Sequence, residues 1–235
     1  MHPTAPPVDE HYFDWIGLLT AVARADGVFR MAELGAGWAP WLVRAALASR
    51  QRPQITGLEL LAIEADPAHH SWIIQHFLDN DIDPVEHSIV HGAVSSRPGM
   101  LSFPAVVDPD IDYGASLRGT ALATDTIEVR GWSVPEVLAR FSGPLDFLHV
   151  DIQGAEYDSL PAAMDALKAS VKSIMIGTHH PDSSHDALLA TFRDHGWREV
   201  LVFPRNSVNQ TPWGEIKTND GFLLFENPDF VASAG

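Results

Sequence analysis

The chain predicts an α/β protein in three layers, a mostly parallel sheet with helices on both faces and an antiparallel pair at one edge. Apolar segments of strand length alternate with helical segments through most of the 235 residues. Two of those helices open on a proline, Pro40 and Pro67, which suits a first helical turn. The last two apolar runs, by contrast, are joined by turn-forming residues with no helical periodicity between them.

Residues 1–10 read as a mobile, Pro-rich lead-in. Apolar residues at Phe13, Ile16, Leu19 and Ala23 then recur at helical spacing, predicting an amphipathic helix over Tyr12–Ala25 despite Gly17 within it. Strand Val28–Leu34, helix Pro40–Ala48, strand Leu58–Ile63, helix Pro67–Asp79 and strand Ser88–Val94 follow. Residues 96–126 break this rhythm with Pro98, Gly99, Pro104, Pro109, Gly114 and Gly119, and are expected to be a lid or substrate-binding insertion without regular periodicity. Alternation resumes with a short helix over Val134–Phe141, strand Leu145–Val150, a helical region over Ala162–Ala169, strand Val171–Ile176 and helix Ser184–Gly196. Arg198–Phe203 and Gly221–Phe225 are the final strands, with Asn206–Asn219 between them. The expected division is residues 1–27 as lead-in and helix, and 28–235 as a ligand-binding domain.

Thirty-one acidic residues against 15 basic ones give a formal charge of −16, which repels phosphate backbones and anionic lipid. Neither nucleic acid nor a membrane surface is an expected partner. The absence of cysteine excludes disulfides, thiolate metal sites and a cysteine nucleophile, and agrees with a cytoplasmic location. The start of the chain lacks the pattern of a signal peptide, and no apolar run approaches the roughly 20 residues that span a bilayer. A soluble protein is expected.

Three strand ends carry the chemistry. Glu33-Leu34-Gly35-Ala36-Gly37 is a strand running into a glycine turn, and Glu64 ends the next strand. Such a turn lets a ligand approach bare backbone, and the second carboxylate can take the two hydroxyls of a ribose. An adenosine-containing cofactor follows. A dinucleotide fingerprint wants a third glycine where this chain has Pro40, and a phosphate loop wants a Lys-Ser/Thr pair that is absent. An acid before two glycines suits S-adenosylmethionine, whose sulfonium and amino groups are cationic. Asp151, Gln153 and Glu156 fall just past the strand Leu145–Val150, and alternation sends His149 to the same face as Asp151. The strand Ile174–Ile176 ends in Gly177-Thr178-His179-His180, where either imidazole can serve as a general base or bind a metal with Asp151 or Glu156. The bland alternatives are a tight turn, a helix cap and satisfied surface histidines.

With those residues in place, the chain resembles the FkbM-type S-adenosylmethionine-dependent methyltransferases. Glu33-Leu34-Gly35-Ala36-Gly37, Ile63-Glu64-Ala65-Asp66-Pro67, His91-Gly92-Ala93-Val94, Asp151-Ile152-Gln153-Gly154-Ala155-Glu156 and Ile176-Gly177-Thr178-His179 carry the resemblance, which spans roughly residues 29–226. It implies the Rossmann-like class I methyltransferase fold, a seven-stranded sheet ending in a reversed hairpin. Gly35 and Gly37 would then line the methionine end, with Glu33 beside them. Glu64 and Ala65 would lie at the ribose, Ala93 near the adenine and Asp151 at the reacting centre. This chain departs from the pattern at Gln153, where a second acid is common, and at His149, where a lysine is typical.

The expected reaction is methylation of a hydroxyl on a small-molecule acceptor, a sugar or secondary metabolite, with Asp151, Glu156 or His179 taking the proton and Gln153 orienting the acceptor. Tyr113–Ser116 would sit in the lid, and Trp15 and Trp38 would supply apolar walls. A divalent metal on Asp151, Glu156 and His179 is possible but not favoured. The first helix could serve a homodimer contact. The rivals are a non-catalytic S-adenosylmethionine-binding module and, disfavoured by Pro40, a nucleotide-dependent oxidoreductase.

Overall fold

The computed structural model describes residues 11–117, 125–179, 182–212 and 214–231. The lead-in 1–10 and His180 lie outside the described residues. Helix α1 (Tyr12–Arg24) precedes β1 (Gly27–Leu34), α2 (Pro40–Ser49), β2 (Ile55–Glu64), α3 (Pro67–Asp79) and β3 (Ser88–His91). Next come β4 (Ala93–Val94), β5 (Gly99–Pro104), β6 (Thr126–Trp132), α4 (Val134–Leu138), β7 (Phe147–Val150) and α5 (Glu156–Ser159). The chain continues through α6 (Met164–Ser170), β8 (Ser173–Thr178), α7 (Asp182–Asp194), β9 (Arg198–Phe203), β10 (Ser207–Thr211), β11 (Gly214–Thr218) and β12 (Gly221–Glu226).

Seven strands form one sheet in the order β3-β2-β1-β7-β8-β12-β9. The first five pair in parallel, and β12 runs antiparallel to both β8 and β9. The predicted reversed pair is therefore present, with β9 at the edge and β12 one place inside it. Between β1 and β7 the register sets Glu33 directly beside His149.

Two apolar cores lie on opposite faces of this sheet. Phe29, Met31 and Phe147 meet α1, α2 and α3 through Leu18, Leu42 and Phe77. Leu34, Ile63, Leu148 and Phe225 meet α4, α6 and α7 through Val137, Leu167 and Phe192. Each fully buried side chain of this kind contributes about 1.5–3 kcal/mol. Gly17 in the middle of α1 has a packing reason, since a Cβ there would stand 3.1 Å from the Phe147 ring and 3.2 Å from Leu224. The helix thus lies close on the sheet. Helix α3 starts where Asp66 accepts hydrogen bonds from the Ala68 and His69 amides, and α4 starts on a reciprocal Ser133–Glu136 capping box.

Three regions differ from the sequence reading. The run Ser88–Val94 is two strands, because the chain turns at Gly92 and hands β4 to a second sheet, β4-β6-β5. Residues 96–126, expected to lack regular structure, contain β5 and the start of β6. Their alternating Leu101, Phe103, Ile127 and Val129 bury against Ala65 and Ala93, and that burial outweighs the local glycine and prolines. The turn-rich Asn206–Asn219 stretch holds the β10–β11 hairpin. Among the described residues, no helix is long and apolar enough to cross a membrane.

Candidate active site

A cavity of about 370 Å³ opens over the carboxyl ends of β1, β2 and β7, where ligands bind in open parallel sheets. Its floor is the Gly35–Gly37 turn. The amides of Gly35 and Ala36 donate to the Ile63 carbonyl at 3.1 and 3.0 Å, and the Asp151 amide donates to the Leu34 carbonyl at 2.9 Å. The turn is therefore tied to both neighbouring strands. Gly35 has φ +73°, and a Cβ there would fall 1.9 Å from the Asp151 carbonyl oxygen, so only glycine lets the β1 turn rest on the end of β7.

At one end, the Gly37 amide donates to Glu64 at 2.7 Å, and the Asp66 amide donates to the other Glu64 oxygen at 2.8 Å. Burial pushes the Glu64 carboxyl above its ordinary range. Each carboxylate oxygen has two acceptor positions, so one remains on each for a hydroxyl pair. Beyond Glu64 the cavity is apolar, walled by Ala65, Ala93, Val94 and Phe103. Phe103 escaped the sequence reading because β5 did; its alternation with Leu101 was the available signal.

The segment before residue 118 borders the cavity, which Asp112, Tyr113, Ala115 and Ser116 line. His69 on α3 holds this segment. The His69 ring stacks on Tyr113 at 4.6 Å with 7° between planes, and its Nε2 lies 2.7 Å from the Pro109 carbonyl.

Asp151 and Gln153 line the cavity from the β7 side. The Gln153 amide nitrogen donates to Asp151 at 2.9 Å, from a backbone in the left-handed region at φ +50°. The Asp151 side chain is 43% exposed. The surrounding protein raises its carboxyl above the ordinary range, against the downward pull of His179 and then His149.

Glu156 and His179 are joined to Asp151 but do not line the cavity. His179 Nε2 lies 3.3 Å from Asp151 and Nδ1 lies 3.3 Å from Glu156. Glu156, fully buried, also accepts the amides of Gly154 at 2.7 Å and His179 at 3.1 Å. Burial alone would lower the His179 pKa, but the Glu156 hydrogen bond and the Asp151 charge raise it to about 9. His179 is thus an imidazolium at neutral pH and has no lone pair to act as a base. Among the described residues, no group of three or more His, Asp or Glu side chains is arranged to hold a metal ion. In the disfavoured metal set Asp151, Glu156 and His179, both ring nitrogens of His179 are directed at the two carboxylates.

The opposite end of the cavity is lined by Glu33, Trp41, Arg44, His11 and His149. Trp38 also lines the cavity, whereas Trp15 packs edge-on beneath Trp41 at 5.6 Å. Helix α2 has no cap from its own leading residue, Ala39. Glu33 supplies the cap from β1, accepting the Leu42 amide at 3.0 Å and the Trp41 amide at 3.4 Å. Burial raises the Glu33 pKa to about 7, against opposing pulls led by His149. Sequence reasoning placed Glu33, Gly35, Gly37, Glu64, Ala65, Ala93, Asp151 and Gln153 at the cavity but missed Trp41 and Arg44. Their helical spacing makes them look like ordinary α2 residues.

Comparison with known proteins agrees with this fold. The family model described as the methyltransferase FkbM domain matches residues 40–199. A curated protein of Jannaschia sp. (strain CCS1), provisionally named a methyltransferase, is 28% identical over 224 residues, covering 92% of this chain and 78% of its own length. The precorrin-6y C5,15-methyltransferase of Geobacter metallireducens GS-15 shares the fold with a TM-score of 0.52 at 14% identity, over 95% of this chain and 92% of that one. A methyltransferase FkbM structure from Methylobacillus flagellatus KT has a TM-score of 0.50 at 14% identity, over 86% of this chain and 44% of that one. The chain belongs to the FkbM methyltransferase domain family.

Proposed function

We propose that this protein transfers a methyl group from S-adenosylmethionine to a hydroxyl of a small molecule, a sugar or secondary metabolite. The observation that carries the reading is the pairing, in one cavity, of Glu64 beside an apolar wall with Asp151 facing in from the next strand but one. The residues fit the cofactor. Glu64 keeps acceptor positions for two ribose hydroxyls, Ala93 and Phe103 suit the flat face of an adenine, and Glu33 and Asp151 suit cationic groups.

When bound, S-adenosylmethionine supplies an electrophilic methyl group. The chain's own task is then to hold an acceptor oxygen in line and receive its proton. Such positioning can contribute about 7–11 kcal/mol. Asp151 faces the cavity and takes the proton. Gln153 fixes the rotamer of Asp151 through its amide, and the His179 imidazolium, anchored by Glu156, fixes it from behind. The acidic surface suits neutral or cationic acceptors.

Calorimetry with S-adenosylmethionine and S-adenosylhomocysteine tests the first half. Saturable binding is expected, weakened about 10–100-fold by Glu64→Gln, the worth of hydrogen bonds to a charged group. No binding at millimolar concentration would falsify the reading. Mass spectrometry of a panel of hydroxylated acceptors incubated with methyl-labelled cofactor tests the second half. Asp151→Asn should slow transfer by about 10²–10⁴. Binding without transfer to any acceptor would favour the non-catalytic module.

A further inference from the structure

A second buried cluster adjoins the Gly35–Gly37 turn, and the mechanism above uses only its Glu33. His149, on β7, is 3% exposed and lines the cavity. Its Nε2 lies 3.3 Å from Asp14 on α1, a carboxylate that is itself buried. Its ring stacks on Trp41 of α2, 5.6 Å between centroids and 28° between planes. Its strand partner is Glu33, 1% exposed, whose two oxygens cap α2. Three elements of the cofactor-binding end therefore meet at one imidazole. The Nδ1 atom is buried and finds no hydrogen-bond partner among the described residues.

We propose that His149 is a positioning residue for methyl transfer: an imidazolium paired with Asp14 and set beside Glu33 on the neighbouring strand, it keeps Glu33 capping α2, fixes the Gly35–Gly37 turn and sets the alkaline limit of cofactor binding. The inference rests on the S-adenosylmethionine reading above. The physical reason is charge balance. Buried carboxylates without a cation must either take up a proton or loosen their surroundings. Protonated Glu33 holds the α2 amides by weaker, uncharged hydrogen bonds than the carboxylate does. Glu33 stands two residues before Gly35, so any change in its cap reaches the turn directly.

The charged and titratable groups around His149 are few. Helix α1 brings Asp14, with His11 just ahead of it at 3.8 Å from that carboxylate. Strand β1 brings Glu33, and α2 brings Arg44, whose guanidinium lies 4.2 Å from the Trp41 ring centre. The loop after β7 brings Asp151, already paired with His179, while β8 presents uncharged Met175 beside His149. Asp14, Glu33 and Asp151 all favour the charged imidazole, and burial opposes it. Carboxylates prevail. His149 therefore keeps its proton above the pH at which an ordinary histidine loses it.

The test compares wild type, His149→Lys and His149→Gln by calorimetry with S-adenosylhomocysteine between pH 7 and 9. The ligand's own titration is common to all three proteins. Wild type should lose at least about threefold in affinity as pH rises. The lysine variant, a permanent cation in this range, should keep its affinity, and the glutamine variant should be weak throughout. A lysine variant with the same pH profile as wild type would overturn the inference while leaving the cofactor reading intact. Should no protein bind the ligand, that reading fails and the imidazole itself still decides the inference. The His149 ring resonances should titrate above pH 6.5 in the free wild type, and lower in Asp14→Asn. A His149 titration below 6.5, or one insensitive to Asp14→Asn, overturns the proposal without any ligand.

Discussion

His149 and His179 end adjacent strands, each within reach of two acidic side chains, yet they occupy different places in the site. His149 draws its partners from α1 and β1 and faces the cavity. His179 draws its partners from the loop after β7 and the start of α5, and it does not line the cavity. Membership of a polar cluster at a strand end does not by itself put a side chain on the ligand. The difference follows from strand parity: His149 shares its face with Asp151, whereas His179 comes after the last residue of β8, where the chain turns back against Glu156. The first cluster can influence the ligand through the turn. The second acts through Asp151 alone.

The comparison breaks most decisively at Glu156. Glu156→Ala removes the acceptor of two amides and leaves the His179 imidazolium buried beside a single carboxylate. A loss of about 3–5 kcal/mol in urea unfolding is expected. A loss below about 1 kcal/mol would show that the bridge does not hold the loop.

His179→Gln should cost on the order of 3 kcal/mol at pH 6, because the folded pKa of about 9 lies well above the ordinary 6.5. A raised histidine pKa gives stability that is complete below about 6.5 and is lost as pH rises through about 9. The gap between wild type and variant should therefore close above pH 9. A gap that is constant from pH 6 to 9.5 would contradict the imidazolium bridge.

The smallest effect is expected at Glu33. Its folded pKa of about 7 exceeds its ordinary 4.5, so the fold loses stability as pH rises from 4.5 through about 7. Glu33→Gln loses one good cap interaction, about 1 kcal/mol at pH 5, but escapes that ionisation cost. Thermal melts should show the difference shrinking above pH 4.5, reversing before pH 7 and levelling off near pH 7, two units below the levelling expected for His179. Levelling at the same pH for both variants would mean that the two clusters titrate as one.

The parts of this site that were legible in the sequence are those where one residue has one local job. Pro67 marks the start of α3, and the acid–glycine turn after β1 marks the floor of the cavity. Glu64 and Asp151 could be placed because strand ends gather on one rim. Roles that depend on distant contacts were not legible. Nothing local in Asp14 says that it meets a histidine 135 positions later. The Glu33 cap on α2 replaces a side-chain cap that Ala39 cannot supply, which is visible only once the helix is placed. Strands β5 and β6 hid among glycine and proline residues, since their burial comes from Ala65 and Ala93 rather than from neighbours in sequence.

The placement of β12 bears on how the chain is made. It lies between β8 and β9 and supplies the sheet pairing of both on that side. Strand β9 is synthesised first but has no partner in the sheet until residues 221–226 arrive. Its Glu226 also meets Arg24, at the end of the first helix, and Arg198, at the start of β9. A ribosome-bound chain can assemble the parallel strands early, but it must hold β9 unpaired until β12 emerges. Non-local pairing of this kind is slow and exposes an edge that invites association. Final closure thus waits for β12, and the risk of aggregation is greatest just before that strand emerges.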